Sequence, residues 1–305
     1  MATKRKNNKK PGKAAKITLR VFAALLLVLA ALAGIGVLNA NVVRIRRAEV
    51  MLADLPEAFD GVSMLYASDI DLMGINTPEK AGALLNSLQS LKPDVLLLGG
   101  DYNASPLLEV LNRTGESDAA LAKKRKARTD FFHYIKAFDA PLGKYAIAAP
   151  EDLDWDDLSA AMREGGVEPL FNQRAELRRD GATIYLAGIC EESASLNSAG
   201  ATFSRDDCVL TVAYSPAVLP ILLTSEAADG GQWSDLVLCG HTHGGQVRLF
   251  GRSALPLQRQ EQENLAGWSM ETGLPILVTQ GVGCEGLNLR LGSRPEVWLI
   301  TLRRA

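Results

Sequence analysis

Short apolar runs recur along this chain, and a polar or glycine-rich step closes most of them. Ser63-Met64-Leu65-Tyr66-Ala67-Ser68, Val95-Leu96-Leu97-Leu98-Gly99-Gly100 and Tyr145-Ala146-Ile147-Ala148-Ala149 are the first three. Others fall at 183–186, 209–213, 236–238, 276–279 and 297–302. Runs this short and this apolar predict buried strands. Between them the period changes. Leu84, Leu85, Leu88 and Leu91 share one stripe and predict a helix over 79–91. A longer, basic helix is predicted over 118–138 and another over 155–163. The later half is richer in strands. The mixture predicts an α/β fold in which two sheets pack face to face with helices outside. There is no internal repeat.

One apolar stretch is of a different kind. Residues 21–43 hold no charge, and as a helix they would span roughly 34 Å, enough for a hydrocarbon core. Before them stand Lys4, Arg5, Lys6, Lys9, Lys10, Lys13, Lys16 and Arg20 with no acid; after them follow only Arg44, Arg46 and Arg47. The positive-inside rule then predicts a cytoplasmic N-terminus and an extracytoplasmic main domain at the cell membrane. A cleaved signal peptide is the alternative, but the apolar run is long for one, and Leu38 spoils a small-x-small pattern ending at Ala40. The expected organisation is a basic tail at 1–20, a transmembrane anchor at 21–43, a connector at 44–56 and one domain at 57–305.

Composition changes this picture little. With 305 residues and 47% hydrophobic content, the chain can bury a sizeable core. A net charge of -2 gives no case for nucleic acid. The basic run from Lys123 to Arg128 reads as a solvated helix face, and His133 as packing. Cys190, Cys208, Cys239 and Cys284 show no Cys-x-x-Cys spacing and read as free buried thiols. An outside location would permit disulfides.

The chemistry concentrates at strand ends. Two of the three histidines, His241 and His243, follow Leu236-Val237-Leu238 inside Gly240-His241-Thr242-His243-Gly244-Gly245-Gln246. Asp69 and Asp71 follow the 63–68 run, Asp101 the 95–100 run, and Glu151 and Asp152 the 145–149 run. The carboxyl ends of strands are where α/β sheets place their ligand sites. Imidazoles and carboxylates gathered there suit a metal.

In this order and spacing, over residues 42–305, the chain resembles the calcineurin-like metallophosphoesterases, in particular their membrane-anchored bacterial branch. Ser68-Asp69-Ile70-Asp71, Leu98-Gly99-Gly100-Asp101-Tyr102 and the His241–His243 run carry the match, with Gln280-Gly281-Val282-Gly283 and Arg294-Pro295-Glu296 closing it. The resemblance implies a four-layer α-β-β-α sandwich and a two-ion site. The first ion would use Asp69, Asp71, Asp101 and His243; the second would use Asp101, His241, an asparagine and a further histidine. Asp71 stands where the family usually has histidine. Pro150 stands at the asparagine, Tyr214 at the histidine, and Glu151 at the histidine that protonates the leaving group. Three carboxylates and one imidazole favour a single Mn²⁺ or Mg²⁺ over zinc. Pro150 offers no side-chain donor, and a phenol with an ordinary pKa near ~10 is a weak ligand. Glu151 is the candidate replacement acid. Arg290 is implied as a phosphate contact, with structural pairing as its alternative. The expectation is a metallophosphoesterase-like protein with weakened or lost phosphoester hydrolysis. The alternative is an active single-metal phosphoesterase or pyrophosphatase, acting on a phospholipid or nucleotide-linked substrate at the outer membrane face.

Overall fold

The computed structural model describes residues 13–72, 74, 76–104, 117–150, 152, 154–190, 200–253, 256–271 and 273–305. The predicted anchor is helix α1 (Lys13–Ala40), whose window long and apolar enough to cross a membrane is Lys16–Ala40. It starts earlier than the charge pattern predicts, because Ala14, Ala15 and Lys16 are good helix formers. It stops at Asn41, whose side chain donates to the Val37 carbonyl (2.8 Å).

The expected connector at 44–56 is corrected by the structure. Strand β1 (Arg44–Leu52) follows the helix after three intervening residues and pairs in parallel with β14 (Glu296–Arg304) along its whole length. Its outer positions carry Arg44, Arg46, Arg47 and Glu49. These charges suit a sheet edge but hide the strand from a search for apolar runs. The domain therefore starts at Arg44.

Beyond it come β2 (Ser63–Ala67), α2 (Pro78–Ser87), β3 (Val95–Leu98), α3 (Asp118–Tyr134), β4 (Lys144–Ala146), α4 (Trp155–Glu164) and β5 (Glu168–Pro169). Thr77 caps α2 and Ser117 caps α3, each accepting from the backbone three residues on. The first sheet has the order β1-β14-β2-β3-β4-β5. The second is built from β6 (Arg174–Arg179), β7 (Ala182–Ile189), β8 (Val209–Ala213), β9 (Leu236–Cys239), β12 (Gly267–Glu271) and β13 (Leu274–Val278), in the order β12-β13-β9-β8-β7-β6. A small hairpin, β10 (Arg248–Leu249) and β11 (Arg252–Ser253), stands apart, and a short helix α5 (Arg259–Glu263) precedes β12.

Alternation along the strands divides the apolar residues between two cores. Leu210, Val212, Leu236 and Leu238 face the first sheet and share one core with Leu65, Leu96, Phe131 and Met162. Val209, Ala213, Val237 and Cys239 point the other way, against Phe203, Leu222 and Trp233. Parallel strands buried on both faces give the near-continuous apolar runs seen in the sequence. The four cysteines are buried, and no disulfide joins them. His133 is not packed in the core; it is exposed on α3, with an edge contact to the Tyr134 ring. Lys123, Arg125 and Lys126 are exposed too, whereas Lys124 is half-buried and Arg128 buried.

Candidate metal centre

The sharp turns leaving β2, β3 and β9 bring the sequence-predicted groups to one edge. Asp69, Asp71, Asp101, His241 and His243 all adopt left-handed backbone conformations, with φ from 50° to 71°. Such φ values cost a non-glycine residue of order 1–3 kcal/mol each and cluster where a site needs them. The turns tie to one another: Asp69 N donates to Gly100 O and Asp71 N to Asp101 O, both at 3.1 Å. Gly283 closes the floor, since any Cβ there would run into Asp71.

Asp71, Asp101 and His243 are all buried, and one ligand atom from each lies within 4.8 Å of the others. His243 Nδ1 is 3.4 Å from Asp71 Oδ2, and its Nε2 is 3.9 Å from Asp101 Oδ2. Burial pushes the Asp71 and Asp101 carboxyls well up; the nearby Glu285 charge adds to this at Asp71, and the Asp71 charge does so at Asp101. Burial, then the Arg290 charge, holds His243 well below the ordinary imidazole range and so keeps it neutral. Both Asp71 oxygens and Asp69 Oδ2 are buried without a hydrogen-bond partner. Orphaned carboxylate oxygens beside a neutral imidazole are costly for the protein alone and well suited to a divalent cation. The donor set, two carboxylates and one imidazole, fits a divalent cation.

Two expected ligands stand differently. Asp69 lies outside the three-residue group; its Oδ1 accepts from His241 N (2.8 Å) and Ser68 Oγ (3.1 Å). His241 also lies outside the group. Its Nδ1 lies 2.5 Å from Tyr214 Oη, and its Nε2 lies 3.2 Å from Glu261 Oε1. Glu261 is a buried acid that the sequence reading did not single out. It accepts from Ser215 Oγ and from Gln258 N, each at 2.7 Å. Burial would raise its carboxyl, but hydrogen bonds from His241 and Ser215 outweigh that and hold it at about 2.

Two further groups brace the edge. Asp152 accepts from the backbone N–H groups of Ala149, Asp101 and Tyr102, which locks the strained Asp101 turn. Its own carboxyl is pushed up to about 6 by burial, opposed by those same N–H groups. Arg290, read as either a phosphate contact or a structural pair, takes the structural role: it is fully buried and faces main-chain oxygens. It donates to Gly283 O, His243 O and Gln280 O. Four of its five N–H groups are thereby engaged with carbonyls. Its backbone reaches the apolar helix α1: Arg290 N donates to Gly36 O (2.9 Å), and Asn39 Nδ2 donates to Arg290 O (3.4 Å). Gly36 is buried there, and a Cβ on it would sit 2.7 Å from Leu289. Glu151, the candidate acid, lies outside the described residues.

No family model matches the chain. It is 30% identical over 213 residues to Phosphodiesterase YaeI of Escherichia coli (strain K12), covering 69% of this chain and 71% of that protein. It is 27% identical over 290 residues to the Transmembrane protein with metallophosphoesterase domain of Danio rerio, covering 92% of this chain and 62% of that protein. It is 25% identical over 254 residues to the Uncharacterized metallophosphoesterase YkuE of Bacillus subtilis (strain 168), covering 82% of each. The match thus leaves more than a third of the Danio rerio protein uncovered.

Proposed function

The chain belongs to the calcineurin-like metallophosphoesterase family, and from that membership we propose that it is a membrane-anchored, one-ion member in which phosphoester hydrolysis is weakened or lost. The reading rests on His241. In a two-ion site this imidazole would be a ligand, but here both ring nitrogens face protein groups, Tyr214 and Glu261. Pro150 supplies no oxygen ligand either. Asp71, Asp101 and His243 would hold the single ion, with Asp69 Oδ2 as the next orphaned oxygen. When bound, such an ion would polarise a phosphoryl oxygen as a Lewis acid. The chain's own residues do the positioning. Asp152 fixes the Asp101 turn, and Arg290 fixes the His243 carbonyl.

What is missing is the second clamp on the reacting oxygens and a histidine to protonate the leaving group. Absence of a general acid alone costs about 100- to 10,000-fold in rate. Elemental analysis of the purified full chain, read with its turnover of a generic phosphodiester in added Mn²⁺, tests the reading. We expect at most one tightly bound ion and slow or absent turnover. Two tightly bound ions would return the protein to the two-ion class. Brisk turnover at one ion would make it an active single-ion phosphoesterase.

A further inference from the structure

We propose that a cavity at the exit of the membrane helix is a site for the phosphate of an anionic lipid headgroup. The cavity, about 350 Å³, is open to solvent, and Arg44, Arg248 and Arg294 line it together with Asn39 and Gln280. Three elements deliver the arginines. Arg44 opens β1, and its N–H donates to Pro295 O (2.9 Å). Arg248 opens β10, and its Nε donates to Gly244 O (2.6 Å). Arg294 precedes β14, and its N–H donates to Gln280 Oε1 (3.0 Å).

None of the three guanidiniums forms an ion pair with a carboxylate among the described residues. Elsewhere in the molecule arginines do pair, as Arg125 does with Asp154 and Arg303 with Glu49. The nearby acid, Glu296, is buried and accepts from Gln280 N, Gln280 Nε2 and Trp298 Nε1. Three like charges around one cavity repel each other, and an anion between them removes that cost. The guanidinium fork also matches phosphate oxygens two at a time.

The place of the cavity selects the source of the phosphate. Asn39 is the next-to-last residue of α1, and Arg44 lies four residues past its end, so within about 14 Å of it at most. That is headgroup depth for a helix whose apolar part fills the hydrocarbon core, and three guanidiniums there favour a headgroup of net negative charge over a zwitterionic one. The hairpin that carries Arg248 also shows a fully exposed Phe250 at its tip. The inference rests on the membrane-anchored reading, but not on the ion.

The test uses the full chain in nanodiscs of mixed phosphatidylcholine and phosphatidylglycerol, with metal removed by chelator so that the ion site cannot bind phosphate. Native mass spectrometry then counts the lipid retained on release. We expect about tenfold preference for phosphatidylglycerol, lost in Arg44→Gln/Arg294→Gln and kept in Arg178→Gln, which removes a charge from the far strand β6. Thermal unfolding checks that the double variant folds, and Arg294→Gln alone serves if it does not. Equal retention of both lipids by the wild type would overturn the site. Equal loss in Arg178→Gln would mean that overall charge, not the cavity, selects lipid. Displacement of phosphatidylglycerol by millimolar inorganic phosphate would assign the cavity to free phosphate instead. Failure of the one-ion reading leaves each of these outcomes intact.

Discussion

Glu261 is buried yet ionised, with its carboxyl held at about 2 against an ordinary value of 4.5. A carboxyl depressed on folding contributes stability above its unfolded value and loses it as pH falls through the folded one. Glu261→Gln should therefore unfold more easily than the wild type above pH 5, by roughly 1–2 kcal/mol once partial solvation is allowed for. The gap should close progressively from about pH 4.5 towards pH 2. Thermal melts of both proteins across that range check this, and a gap that persists at the acid end would contradict it. The residues that meet at the centre, Asp71, Asp101 and His243, were legible because each directly follows a strand-like run. Glu261 was not, because it sits in Arg259-Gln260-Glu261-Gln262-Glu263, a charged stretch in which nothing local separates it from the exposed Glu263. Its partner His241 is contiguous with it only in space. Arg290 was legible as important but not in its role, since a guanidinium that binds carbonyls and one that binds phosphate have the same local sequence.

At the scale of elements, α1 presents a natural pair of probes. Gly36 meets Leu289, while a Cβ on Gly34 would meet nothing within 4 Å. Arg290, next to Leu289, carries the contact on to the His243 carbonyl. Gly36→Val should therefore weaken Mn²⁺ binding by the full chain, by about 10-fold or more if it acts as outer-shell support usually does. Gly34→Val should leave binding unchanged. Adding Leu289→Ala to Gly36→Val should recover much of the loss by making room for the methyl groups. Isothermal titration in detergent reads all three; equal effects at positions 34 and 36 would show that the helix packing does not reach the centre. Periodicity found the buried strands and helices α2 to α4, because burial on one or both faces writes itself into the sequence. It missed β1, whose nine residues carry four charges at the sheet edge, where solvent accepts them.

For the whole molecule, the two-sheet architecture followed from runs of apolar residues too short for helices and buried on both faces. The join between helix and domain did not, because it depends on which strand β1 finds as a partner. The charge asymmetry around α1 argues for a cytoplasmic tail and an outside domain. Protease added to intact cells should remove the domain and spare the basic tail; a domain digested only after lysis would reverse the orientation. The join itself has a further effect. Three residues separate α1 from β1, and β1 is then held along nine residues by β14, so there is no slack between helix and domain. A domain on a flexible linker tumbles through a volume around its tether. Were α1 to sit in a bilayer, this one would be mounted at a fixed height and could only spin and drift with its helix. With α1 in a bilayer, its encounters are counted per unit area of membrane and follow the lateral density of a ligand, whatever that ligand's concentration in the surrounding water.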